Sequence, residues 1–147
     1  MEFISPLLLI TDIRNTDKYR IFYERKLEHT INNYPISVKV DYMIATGLLD
    51  LYQEPYFYFQ EYKPQKNPSG DSVAQLLQAM LIAQAKNNNG KIIYGATIVG
   101  KIWSFVTLEN KTYCISKGYD CTDRDELLQI IAILRKFKHI LETELIE

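Results

Sequence analysis

The 147 residues predict an α/β (α+β) domain in which one central mixed sheet is flanked by helices. Three observations carry that expectation. Ile36, Val38, Val40, Tyr42 and Ile44 alternate with Ser37, Lys39, Asp41 and Met43, the period-two pattern of a strand. Val73, Leu76, Leu77, Met80 and Ala83 recur at helical spacing, as do Leu127, Ile130, Ile131, Leu134, Phe137 and Leu141. Between the two helical stripes lie three short runs rich in β-branched and aromatic residues. Strands, helix, strands, helix is an order that builds one covered sheet.

Taken in order, the first segment, Met1 to Lys26, admits two readings. Ser5-Pro6 before Leu7-Leu8-Leu9-Ile10 can open a helix, since proline is tolerated at the first helical position; the same run can be a buried strand. The coarse order counts it as a helix. The Ile36–Ile44 strand follows, with Asp41 on the face opposite its apolar row, beside Lys39. Tyr56 to Lys63 reads as an interior strand. Phe57, Phe59, Glu61 and Lys63 share one face, and Tyr56, Tyr58, Gln60 and Tyr62 the other. Gly70-Asp71-Ser72 starts the first clear helix, which stops before Asn87-Asn88-Asn89-Gly90. Ile92–Val99, Ile102–Leu108 and Thr112–Ser116 are strands, joined by hairpin turns at Gly100-Lys101 and Glu109-Asn110-Lys111. The last helix begins near Thr122-Asp123.

Composition narrows the class. The length suits a single domain over residues 1–147, large enough for a core without staples. Lys plus Arg is 17 and Asp plus Glu is 18, a formal charge of −1, so no net basic charge holds a polyanion; a local basic groove stays open. The Pro6–Ile10 apolar run is far shorter than a bilayer span, and the start lacks the basic region and cleavage site of a signal peptide. Two cysteines, Cys114 and Cys121, do not make a disulfide scaffold, and His29 and His139 lie far from them, so no zinc spacing arises. The expectation is a reduced, cytoplasmic protein with no membrane segment.

Asp41, Glu61 and Lys63 carry the most chemistry. Glu61 and Lys63 are two apart on one strand and point the same way. An acid and an amine facing one pocket are costly to bury unless paired or used. Carboxylate oxygens are hard ligands that suit Mg²⁺ or Mn²⁺. Such an ion polarises a phosphodiester and lowers the pKa of bound water, and a neighbouring lysine can orient that water or stabilise developing charge. Each residue also has a plainer reading. Glu61 and Lys63 can be a solvated ion pair worth about 0–1 kcal/mol. Asp41 can be a turn residue closing its strand. Gln75 can close a capping box onto Ser72. The tyrosines can be core and cross-strand pairs or can stack nucleobases. Arg135, Lys136 and Lys138 can touch phosphate or serve the helix macrodipole.

Val40-Asp41 followed by Glu61-Tyr62-Lys63 resembles the PD-(D/E)xK signature of restriction-endonuclease-like nucleases. The resemblance covers Tyr19 to Leu108. It includes the strand–strand–helix order, Gln75 in the helix after the E-x-K strand, as in RecB-type members, and Gly100-Lys101-Ile102-Trp103-Ser104-Phe105 in a later hairpin, as in a bacterial branch that includes type I restriction subunits. Two positions depart from the pattern. Val40 stands where the family name has proline, and Ala79 where RecB-type members have tyrosine. The resemblance implies a restriction-endonuclease-like core and Mg²⁺-dependent (or Mn²⁺-dependent) hydrolysis of DNA, with RNA as the second substrate class. It implies metal binding by Asp41, Glu61 and the Tyr62 carbonyl, completed by a helical glutamate, for which Glu24 is first choice and Glu28 its rival. Lys63 would serve the water and Gln75 support it. A homodimer or a partner subunit would fit cleavage of two strands. The competing expectation is a module that keeps this fold for nucleic-acid binding or protein assembly and does not cut.

Overall fold

The computed structural model describes residues 16, 18–48, 51–63 and 72–145. The Ser5–Ile10 segment lies outside them. The chain runs through β1 (Arg20–Ile31), β2 (Tyr34–Leu48) and β3 (Leu51–Lys63) into helix α1 (Ser72–Asn87). It continues through β4 (Ile93–Val99), β5 (Ile102–Glu109), β6 (Thr112–Ile115) and β7 (Tyr119–Asp120). Helix α2 (Arg124–Ile140) and a π-helical turn, Leu141–Leu145, end it. The fold is the expected mixed α/β type, one seven-stranded mixed sheet with a helix on either face.

The sheet order is β1-β2-β3-β4-β5-β6, and β7 pairs with β5. All neighbours are antiparallel except β3 and β4, which α1 joins as a parallel crossover. Asn32 and Asn33, both at positive φ (50° and 69°), form the tight β1–β2 turn, a backbone that asparagine accepts more readily than most residues. Asn110 (φ 55°) and Gly100 (φ 61°) turn the later hairpins where the sequence places them.

Two buried cores lie on opposite faces of the sheet. Leu76, Ala79, Met80 and Ala83 of α1 pack on Met43, Phe59 and Val106. Ile130, Leu134 and Phe137 of α2 pack on Tyr58, Ile98 and Trp103. Gly95 lets α1 approach β4 closely, since a Cβ there would lie 3.0 Å from both Leu76 Cδ1 and the Phe59 carbonyl oxygen. Asp123 caps α2, accepting from the Glu126 N–H at 3.0 Å. Among the described residues no helix is long and apolar enough to cross a membrane.

Three expectations are corrected. Residues 20–31 are a strand, so Glu24 and Glu28 are not on a helix. The single apolar row from Ile36 to Ile44 is divided: Val38 and Val40 share a core with Met43 and Ala45, while Tyr42 and Ile44 face the other core. In β1 likewise, Phe22 and Leu27 share one core although five residues apart. An odd spacing on one face needs a phase shift in each strand. The shift coincides with Glu24, at φ 51° and opposite Asp41 in the β1–β2 register. The faces of β3 are reshuffled by a bulge. Ile44 pairs with Tyr58 but Ala45 with Tyr56, so Phe57 is the extra residue and joins Tyr58's core, while Tyr56 joins Phe59's.

Candidate active site

The site forms where the β2–β3 ladder ends. That ladder begins at Tyr42↔Gln60, so Asp41 and Glu61 are the first residues beyond it on each strand. The Asp41 side chain takes over from the backbone: its Oδ2 accepts the Tyr62 N–H at 2.7 Å. A residue's N–H and C=O leave a strand on the same side, so the Tyr62 carbonyl is directed toward β2 as well. Lys63, one residue on, turns its carbonyl the other way and accepts the Gly100 N–H at 2.9 Å.

Glu61 is the anomaly. It is 3% exposed, and its Oε1 is buried with no hydrogen-bond partner. Its neighbour Gln60 is equally buried but accepts the Tyr58 hydroxyl at 2.6 Å. Burial first, and the nearby Asp41 carboxylate second, push Glu61 up to about 8, while Lys63 pulls it down. A buried carboxyl that shares its surroundings with a second carboxylate and has an unused oxygen is suited to a cation or a proton.

A cavity of about 300 Å³ opens beside Asp41, lined by Tyr23, Glu24, Asp41 and Tyr62; Lys63 and the buried Glu61 are not among its lining residues. Three of the four residues expected to hold metal thus border one space, although Glu24 reaches it from a strand in the left-handed conformation. Tyr23, half exposed, is a wall residue that the sequence reading did not single out. Its only sequence signal is its place beside Glu24. Tyr23 stacks edge-on against the buried Tyr42 ring, with centroids 5.4 Å apart.

Gln75 sits in the first turn of α1. That helix runs antiparallel to β3, as its last residue shows: the Asn87 amide accepts the Tyr56 N–H at 2.8 Å and donates to the Tyr56 carbonyl at 2.7 Å. Its first turn therefore lies toward the Glu61–Lys63 end of the strand. Gln75 Oε1 is buried and accepts no hydrogen bond, so the reach back to Ser72 expected of a capping box is not formed. Glu28 lines a different hollow with His29 and Pro35, and pairs with Lys26 at 2.7 Å. It is not gathered with Asp41.

Hard oxygens on Asp41 and Glu61, a directed Tyr62 carbonyl and an unused Glu61 oxygen suit a hard divalent cation. Among the described residues, no three His, Cys, Asp or Glu side chains converge closely enough to hold one by themselves. The donor set is thus a carboxylate pair and a backbone carbonyl, with Glu24 at the rim. No protein-family model and no curated protein matches this chain.

Proposed function

We propose that the protein is a metal-dependent nuclease of the PD-(D/E)xK type that hydrolyses phosphodiester bonds of DNA, with RNA the second substrate class. The observation that carries this reading is the Asp41 carboxylate, held by the Tyr62 N–H, near the buried, unsatisfied carboxyl of Glu61 toward the end of β3, two residues before Lys63. In it, Asp41, Glu61 and the Tyr62 carbonyl hold Mg²⁺ or Mn²⁺, and Glu24 contributes from the rim. The bound ion would polarise the phosphate and make a water nucleophilic near neutral pH. Lys63 positions that water and offsets charge on the phosphate. Asp41 is fixed by the Tyr62 N–H, so its carboxylate is aimed before any substrate arrives. Tyr23, exposed beside the cavity, supplies a ring on which a base can stack. Gln75 supports the same end of β3 from α1.

The test is cleavage of linear, supercoiled and single-stranded DNA with Mg²⁺, Mn²⁺ or EDTA, beside Lys63→Ala. The expected result is metal-dependent cutting by the wild type and a loss of at least about 100-fold in the variant, the scale of a positioned acid–base or electrostatic group. Equal activity in both proteins would remove Lys63 from the mechanism. A second reading, a fold kept for binding or assembly, is favoured by one observation: the described residues hold no cluster of three metal-ligating side chains. A folded wild type that binds DNA and cuts none of the substrates would establish it.

A further inference from the structure

The two edges of the sheet are built differently. The β1 edge carries Arg20, Glu24, Arg25, Lys26, Glu28 and His29 and is interrupted by the left-handed Glu24. Charge and backbone irregularity are the devices that keep an edge from pairing with another chain. The β6 strand itself has neither, although it is short and a lysine flanks it on each side. Its four residues, Thr112, Tyr113, Cys114 and Ile115, are uncharged and all exposed, with Tyr113 at 52% and Ile115 at 45%.

The hydrogen-bond phase of β6 is fixed by its neighbour. Ser116 N–H donates to the Phe105 carbonyl at 2.8 Å, so Ser116, Cys114 and Thr112 direct their backbone groups toward β5. Alternation then sends the N–H and C=O of Tyr113 and Ile115 outward. Each outward residue has both a donor and an acceptor, and the two are separated by a single residue. An antiparallel strand of the same sequence meets them without offset: Tyr113 of each copy faces Ile115 of the other, each pair exchanging two bonds. Cys114 falls on the twofold axis opposite its own copy, in a non-hydrogen-bonded pair.

Side chains agree with that register. Tyr113 lies beside Leu108 and Ile115 beside Val106, both on the α1 face of the sheet, so they extend its apolar surface to the edge. A twofold axis perpendicular to the sheet keeps faces aligned and sets Tyr113 of one copy against Ile115 of the other, an aromatic–β-branched pair of the kind that stabilises sheets.

We propose that β6 is a self-association edge, through which two copies of this chain join their sheets by antiparallel β6–β6 pairing centred on Cys114. The inference stands independently of the nuclease reading. Lys111 and Lys117 flank the strand, and the twofold sets Lys111 of one copy opposite Lys117 of the other. Pairing is therefore confined to Thr112–Ser116, the span symmetric about Cys114, and tightens as salt screens the lysines.

The test is sedimentation of the intact chain from about 5 to about 500 µM at low and high salt, since a short interface gives a concentration-dependent dimer. Diamide treatment runs in parallel. It removes two protons and two electrons from a pair of thiols and is itself reduced to the hydrazine, leaving one disulfide. Cα atoms in a non-hydrogen-bonded pair are about 4.5 Å apart, within the roughly 4.4–6.8 Å span that a disulfide bridges. The expected result is a salt-strengthened dimer that diamide traps through Cys114. Cys114→Ser should abolish the trapping and leave the dimer. Ile115→Pro removes an outward N–H and leaves the β5 ladder intact, so it should lower cross-linking at least about tenfold. Tyr113→Lys should do the same by charge, and replaces the proline variant if circular dichroism shows that one misfolded. A monomer at the highest concentration, or a dimer whose cross-linking ignores both variants, would overturn the proposal.

Discussion

At the scale of single residues, Glu61 sets the behaviour that is simplest to measure. Unfolded, a glutamate titrates near about 4.3, whereas in the fold burial and Asp41 push Glu61 to about 8. Between those values the native state holds a proton that the unfolded chain has lost. The contribution is therefore fully present below about pH 4 and is lost as pH rises through about 8. Glu61→Gln keeps the shape and removes the titration. Thermal unfolding in EDTA, compared between about pH 6 and about pH 9, should show wild-type stability falling by a few kcal/mol at the higher pH and the variant changing much less. Parallel pH profiles for the two proteins would mean that Glu61 does not titrate in this range.

At the scale of elements, the close approach of α1 to the parallel strands holds the site's scaffold together. Leu76 lies over Gly95, next to the Gln75 whose turn reaches the end of β3. Gly95→Ala inserts a methyl group 3.0 Å from Leu76 Cδ1 and from the Phe59 carbonyl oxygen, and the backbone oxygen cannot rotate away. Overpacking of this kind costs about 1–3 kcal/mol, which urea unfolding should show as a lower midpoint with an unchanged slope. A midpoint equal to wild type would mean that the helix yields without loss. The same elements show what is legible in sequence. Both described helices, β4, β5, β6 and the turns at Gly100 and Asn110 follow from apolar period and turn residues, because each is local. The faces of β1, β2 and β3 are not local. A bulge at Ala45 and a left-handed Glu24 slip the phase, and a slipped strand shows neither period two nor period 3.6 over its length. That is also why residues 20–31 did not read as a strand. The two-residue β7 is too short for any pattern. Of the site, Glu61 and Lys63 were legible as charges at a strand end, whereas Asp41 lies midway along β2 and is not the turn residue its sequence also allowed. Tyr23 and the cavity it lines depend on β1 lying beside β2, a pairing that spans about twenty residues of chain.

At the scale of the whole molecule, the site sits between β2 and β3 in the interior of the sheet, with a core packed on either face. A ligand that joins those strands therefore binds the native state and has no equivalent site in the unfolded chain. Such binding stabilises the fold by RT ln(1 + [L]/Kd), about 1.4 kcal/mol at ten times Kd. For a chain of this size that raises Tm by about 3–5 °C. The proposed cation also competes with the Glu61 proton, so its effect should grow as pH rises toward and past about 8. The measurement is Tm of the wild type in MgCl₂, in MnCl₂ and in NaCl of equal ionic strength, beside Asp41→Asn and Glu61→Gln. The divalent salts should raise wild-type Tm beyond the NaCl control, and each substitution should abolish the difference. Because no DNA is present, the result separates cation binding from cleavage. Stabilisation without cutting would describe a cation site serving a binding module, whereas identical curves in all three salts would leave Asp41 and Glu61 as a structural carboxyl pair sharing a proton.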